Sequence, residues 1–299
     1  MRVTSEMVVN QSVQRLSNRI SEYEQVQSRL ATGKDVQKPS DDPARANRGL
    51  SLRASEKSRV QEARNAEDAM SWLNVTDSQL QNTMDKVQRA RELTVQGANQ
   101  SGQQSRDAIA AEIESLRDEL VEIGNEKLRG KHLFGGYTEG PAVERADAED
   151  EDYAFRGNDD DGNPHEITRR VGEGERVRIN VTAQEAFGNE DDNLFADLDR
   201  LVERLRGDGD VGASLSDLDR AQERISSALA STGARTNRVE SALDRSDDML
   251  FHIRDELSQV EDTDYAEAVM ELQLQDMGLQ STLQALGRAL PPSLAGFLR

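Results

Sequence analysis

The chain has 299 residues, 35% hydrophobic, 4% aromatic and 31% charged, a composition that fits thin helical bundles better than one thick core. A formal net charge of −20 leaves no basic stripe to neutralise phosphates, which argues against nucleic acid and anionic membrane as partners and suits a protein kept soluble in salty surroundings. The absence of cysteine excludes disulfides and thiolate metal sites, three scattered histidines (His132, His165, His252) argue against zinc, and no run is apolar enough to span a bilayer.

Met1 to Glu6 has no apolar core of the cleaved-signal type, so conventional secretion is not expected. Val9, Val13, Leu16, Ile20, Tyr23 and Leu30 step by four and three, with Gln27 at the missing position and Val26 beside it, predicting an amphipathic helix over about 5–31. Gly33 stands where a left-handed C-terminal cap is needed, and Pro39 keeps the helix from resuming. In Ser40-Asp41-Asp42-Pro43, Asp42 reads as an N-cap and Pro43 as the first helical residue. A metal reading of the two acids is weaker, because capping explains both them and the proline.

From Pro43 the pattern is almost uninterrupted helix to about Leu128. Ala66, Met70, Leu73, Leu80, Met84 and Val87 form one seam, and Ile109, Ile113, Leu116, Leu120 and Ile123 the next. The polar turn Asn99-Gln100-Ser101-Gly102-Gln103 between them predicts a helical hairpin, with Trp72 as a packing anchor. Composition changes at His132-Leu133-Phe134-Gly135-Gly136-Tyr137. Tyr153 and Phe155, then Ile167, Arg169 and Val171, then Val177, Ile179 and Val181 repeat every second residue between glycine-rich breaks, the pattern of a small antiparallel meander with one wet face. Asp159-Asp160-Asp161-Gly162 invites a calcium reading, but an EF-hand register would put Gly157 and Thr168 at ligand positions, so a turn is expected. Gly135-Gly136 lacks the lysine and the strand–loop–helix context of a phosphate cradle.

Helix returns near Asp192, pauses at Gly207-Asp208-Gly209, and continues into a heptad seam running from Leu218 to Val260 with no proline and a single glycine, Gly233. That seam extends over roughly 65 Å at the helical rise, and Val239, Leu243, Leu250, Ile253 and Leu257 are its candidate rod core. Its polar positions, Gln222, Thr232, Thr236 and Ser246, predict packing against several helices of the same chain rather than a two-chain zipper. After Glu261-Asp262-Thr263-Asp264 a last helix carries Val269, Leu272, Leu279, Leu283, Leu286 and Leu290 at heptad spacing, widened by Met270, Leu274 and Met277, before Pro291-Pro292. The two terminal helices hold more apolar surface than one partner covers, so they are expected to dock on similar helices of other chains. The fold class is therefore mainly α: a long coiled-coil-like bundle formed by both ends of the chain, with a small antiparallel β domain inserted in the middle. No nucleophile–base set, metal spacing or phosphate loop points to an enzyme or to a cofactor.

Ala31-Thr32-Gly33-Lys34, Pro39-Ser40-Asp41-Asp42-Pro43-Ala44, Ala90-Arg91-Glu92-Leu93 and Asp262-Thr263-Asp264-Tyr265-Ala266-Glu267 together resemble the bacterial flagellin superfamily over nearly the whole chain. Leu133-Phe134-Gly135-Gly136-Tyr137 and Asn193-Leu194-Phe195 resemble its hook–filament junction members more than filament flagellin, whereas Phe297-Leu298-Arg299 is close to many flagellin endings and the middle is short and acidic. The resemblance implies an inner assembly layer at 1–42 and 262–299, disordered in the monomer, a helical rod at 43–134 and 190–261, and a β projection at 135–189. It implies no catalysis, and as partners its own copies, neighbouring hook-associated protein and flagellin, and an export chaperone. The location implied is the external flagellum, reached by type III export without a cleaved signal. Filament flagellin is the alternative, and a cytoplasmic helical scaffold a further one.

Overall fold

A computed structural model describes residues 2–100, 102–145, 153–159, 162–207 and 209–289. Two compact units emerge: unit 1 comprises residues 1–58 and 249–299, and unit 2 comprises residues 59–248. The helices α2 (Pro43–Ala98) and α6 (Ser214–Glu261) contribute to both.

Unit 2 holds the contiguous hydrophobic core. Ala66, Leu73, Leu80, Val87 and Leu93 of α2, Ile109, Ile113 and Leu120 of α3 (Gln103–Gly124), and Leu218, Ile225 and Val239 of α6 are buried in one cluster, with Trp72 buried beside them. The expected hairpin turn falls between Ala98 and Gln103. The short helix α4 (Ala183–Phe187) opens with a capping box between Thr182 and Glu185, and α5 (Leu194–Arg206), capped by Asn193, packs along α3. The polar seam positions Thr232 and Thr236 are compatible with this core because they bond within their own helix, while the Ser246 hydroxyl donates to Arg59 O of α2 at 3.3 Å. The Thr232 hydroxyl donates to Ala228 O at 2.8 Å and Thr236 to Thr232 O at 3.0 Å, as Thr76, Thr83 and Thr94 do on α2. Within unit 2 the buried residues of α6 share one cluster with those of α2 and α3.

The meander expectation is corrected. Among the described residues three separate two-stranded antiparallel sheets replace it: β1 (Lys127–Leu128) with β2 (Lys131–His132), β3 (Val143–Arg145) with β4 (Tyr153–Phe155), and β5 (Thr168–Gly172) with β6 (Glu175–Arg178). Tyr153 thus pairs with Arg145, in a segment with no period-two signature, while Val181 lies past the last strand and leads into α4. Register shifts between Arg170 and Gly172, a β-bulge at the end of the longest strand. Aromatic rings seat β4 on the helices: Tyr153 and Phe187 lie 5.2 and 5.3 Å from Phe195, and Phe134 meets Phe187 edge-on at 5.2 Å.

One buried carboxylate ties these layers together. Asp199 of α5 accepts the Tyr153 hydroxyl at 2.8 Å, pairs with the Arg117 guanidinium of α3, and has Arg145 of β3 at 3.8 Å. Burial and the hydrogen bond to this anion push the Tyr153 phenol well above its ordinary range.

Candidate assembly surface

Unit 1 is built from α1 (Arg2–Thr32), α7 (Tyr265–Ala289) and the adjoining turns of α2 and α6. Its local geometry follows from the capping residues. Gly33 adopts φ +69° and its N–H donates to Arg29 O at 2.8 Å, ending α1 as a left-handed cap does. Asp42 Oδ1 accepts from the N–H groups of Ala44 and Arg45 at 3.0 Å, starting α2 at Pro43, and Asp264 Oδ1 accepts from Ala266 at 2.9 Å, starting α7. Asp41 is likewise engaged, accepting from Lys38 N–H at 2.9 Å. Both acids of the Ser40–Pro43 run are therefore used in shaping the turn.

Between these caps the two ends of the chain form a node. Lys34 and Asp262 make an antiparallel bridge, with Asp35 N–H donating to Glu261 O at 2.7 Å and Thr263 N–H to Gly33 O at 3.0 Å. Side chains reinforce it: Lys34 Nζ lies 2.8 Å from Asp262 and 3.3 Å from Glu261, and Arg53 reaches the buried Glu261 carboxylate at 2.6 Å. Arg29 and Arg45 both hold Asp35. Burial pushes the Asp35 carboxyl up, but the two guanidinium hydrogen bonds outweigh it and hold it below the usual carboxylate range. The Lys34 hydrogen bond does the same to Asp262 and raises Lys34 in turn.

Beyond the node α1 and α7 pair lengthwise, and polar contacts mark the shared face: Arg29 pairs with Glu271, and Arg19 donates to Gln275 at 3.0 Å. Leu16, Tyr23 and Leu30 on α1 and Leu272 and Leu279 on α7 are half-buried, with Val26 buried. Val13, Ile20, Val269 and Leu283 are exposed. The side chains of Val9 and Leu286, and Leu290 altogether, lie outside the described residues. On α6, Val239 and Leu243 belong to unit 2, whereas Leu250 and Ile253, both buried, and the half-buried Leu257 belong to unit 1.

The balance of apolar surface decides what unit 1 can do. Among the described residues its buried apolar side chains are Val26, Leu52, Leu250, Ile253 and Ala268. Among the described residues every exposed large apolar side chain except Val95 and Tyr137 also lies here: Met7, Val13, Ile20, Leu50, Met249, Phe251, Tyr265, Val269, Met270, Leu274, Met277 and Leu283. A unit that exposes more large apolar groups than it buries is not a finished core. Among the described residues no helix is long and apolar enough to cross a membrane.

Residues 3–139 match the bacterial flagellin N-terminal helical region and residues 215–292 the bacterial flagellin C-terminal helical region. The chain belongs to the bacterial flagellin family. Its node residues, α7 and all of α1 but Arg2 fall inside the matched regions. It is 23% identical to flagellar hook-associated protein 3 of Escherichia coli K12, over 95% of this chain and 96% of that one, and 25% identical to flagellin of Bacillus subtilis 168, over 97% and 96%. Its fold is similar to the crystal structure of the flagellar junction protein FlgL from Legionella pneumophila, with a TM-score of 0.58 at 15% identity, covering 71% of this chain and 99% of that one.

Proposed function

We propose that this flagellin-family chain is a structural protein of the bacterial flagellum, joining hook to filament on the outside of the cell. The observation that carries the reading is the surplus of exposed apolar side chains on α1 and α7, which calls for similar helices from neighbouring chains. Its relatives in the hook-associated and junction group, matched over nearly their whole length, support the junction rather than the shaft. The inner layer is residues 1–42 and 262–299, the rod 43–134 and 190–261, and the projection 135–189. Its partners are the hook-associated protein on one side, flagellin on the other, and its own copies around the axis. The chain reaches the outside through the flagellar type III apparatus with a dedicated chaperone.

A junction subunit must fit unlike chains above and below, whereas a filament subunit must match itself indefinitely. The likeness to Bacillus subtilis flagellin favours the second reading, so the test separates the two. Cells lacking the protein are expected to build hooks and shed flagellin into the medium, and the purified chain, in salt that screens its −20 charge, to stop at monomers or short oligomers. Normal filaments on the deletion cells contradict the junction reading. Long regular filaments from the pure chain identify a filament flagellin.

A further inference from the structure

Ser227, Ser231 and Arg235 step by four along α6 and so share one face. With Glu185 they line an open groove of about 220 Å³ in unit 2, floored by the buried Val181 and Ala228. The acid on its rim is already taken: Arg178 holds both oxygens of Glu185, at 2.8 and 2.6 Å, and the Thr182 N–H donates to the second at 2.9 Å. Glu166 also lies against Arg178, 3.8 Å away. Arg235 is left over. Its Nη1 donates to Asn180 O at 2.7 Å, and among the described residues no carboxylate comes within ion-pairing distance of its half-buried guanidinium. Burial and the neighbouring Arg178 hold this guanidinium below its ordinary range, against the opposing pull of Glu185 and Glu166.

We propose that the groove is a carboxylate-binding site, in which Arg235 pairs with the carboxylate, the hydroxyls of Ser227 and Ser231 donate to its oxygens, and a short aliphatic stem lies on Val181 and Ala228. A partly desolvated cation without a counterion is costly, and a planar carboxylate matches the guanidinium edge with two parallel hydrogen bonds. The charge of Glu185 on the rim works against a dianion, so a carboxylate is favoured over phosphate. The groove is open to solvent, which keeps the pair weak and the affinity in the millimolar range. All of these residues belong to unit 2, so the site does not depend on the state of the terminal segments. The carboxylate comes either from a small molecule in the medium or from an aspartate or glutamate side chain of a second copy of this chain.

The isotope-labelled full-length chain is titrated with sodium acetate at constant ionic strength, made up with sodium chloride, while nuclear magnetic resonance follows the Arg235 guanidinium and the Ser227 and Ser231 amides. These signals are expected to move together and to saturate, with half-saturation between about 1 and 100 mM. Arg235→Gln removes the cation and Ser231→Val fills the groove, and each is expected to weaken binding at least about tenfold with an unchanged circular dichroism spectrum. Signals that do not saturate, or that respond equally in both variants, overturn the proposal, and so does tighter binding of inorganic phosphate than of acetate. A concentration series without acetate separates the two sources. Movement toward the acetate-bound positions as the chain is concentrated marks a side chain of a second copy, and positions independent of concentration mark a free carboxylate.

Discussion

Lys34 and Asp262, 228 residues apart, are joined twice: by an antiparallel backbone bridge and by a 2.8 Å contact between Nζ and Oδ1. One ends the turn after α1 and the other the turn before α7, so this pair sets where both terminal helices begin to run together. Glu261, the residue before Asp262, is buried and neutralised by Lys34 and Arg53, which makes the node a network rather than one surface ion pair.

Two helical glycines should respond in opposite directions to the same change. A Cβ on Gly49 would sit 2.5 Å from Glu261 Oε1, in a carboxylate whose other oxygen is held by Lys34 and Arg53, whereas one on Gly233 meets nothing within 4 Å. Gly49→Ala is expected to lower stability by about 1–2 kcal/mol through overpacking, and Gly233→Ala to raise it by about 0.5–1 kcal/mol through helix propensity. Urea melts followed by circular dichroism measure both, and equal shifts would mean that Glu261 is free to swing away.

The node should have a pH window. Asp35 and Asp262 are held below their ordinary range, so their contribution is present above the unfolded carboxylate pKa of about 3.9 and is lost as pH falls through the lower folded values. Lys34 is held above its ordinary range, so its contribution is present below about 10.4 and disappears as pH rises through the folded value. Solvent screening keeps each pair to no more than about 1 kcal/mol. Nuclear magnetic resonance of the Asp35 and Thr263 amides should show both hydrogen bonds stable near neutrality and opening in acid, with Lys34→Gln opening more readily at pH 7. Amide shifts that stay constant through acid would show that these charges do not hold the turn.

The helices were legible because their apolar residues repeat at helical spacing and some of their ends carry recognisable caps, Gly33 and Asp42, whereas the Asp264 cap emerged only from the structure. The β pairing was not, because Val143-Glu144-Arg145 is too short to show a period and its partner is fixed by the aromatic cluster around Phe195. The helix α4 had a signal in Thr182-x-x-Glu185, a capping box that the apolar alternation of Val177, Ile179 and Val181 masked. On α1 the buried position is Val26, not the seam position Gln27, because the shared face with α7 drifts from a strict heptad. Asp199 could not be found from sequence at all: on its own helix it reads as a polar-face residue, and its partners Arg117 and Tyr153 come from other elements.

That buried carboxylate gives the sharpest stability prediction for unit 2. Arg117→Leu leaves Asp199 without its principal cation and is expected to cost about 3–5 kcal/mol, while Tyr153→Phe removes one hydrogen bond to a charged group and should cost about 1.5–3 kcal/mol. Thermal melting of the two variants tests the ranking, and a smaller loss for Arg117→Leu would mean that Arg145 alone neutralises the site.

Leu250 is buried in unit 1 near one end of α6. Leu250→Asp places an unpaired charge there and should cost several kcal/mol. The melting midpoint by circular dichroism decides this, and no change would mean that this part of the stripe tolerates water.

The central claim is that the exposed apolar side chains of α1 and α7 serve assembly and not the stability of the single chain. Val13 and Leu283 are exposed, one on each helix, so Val13→Asp/Leu283→Asp should shift the stability of the purified chain by no more than about 1 kcal/mol. The decisive measurement is filament retention when deletion cells are complemented with this double variant, scored by electron microscopy and by flagellin in the medium. The account predicts a folded variant, hooks without filaments and flagellin shed as in the uncomplemented cells; a folded variant that restores full filaments would contradict it.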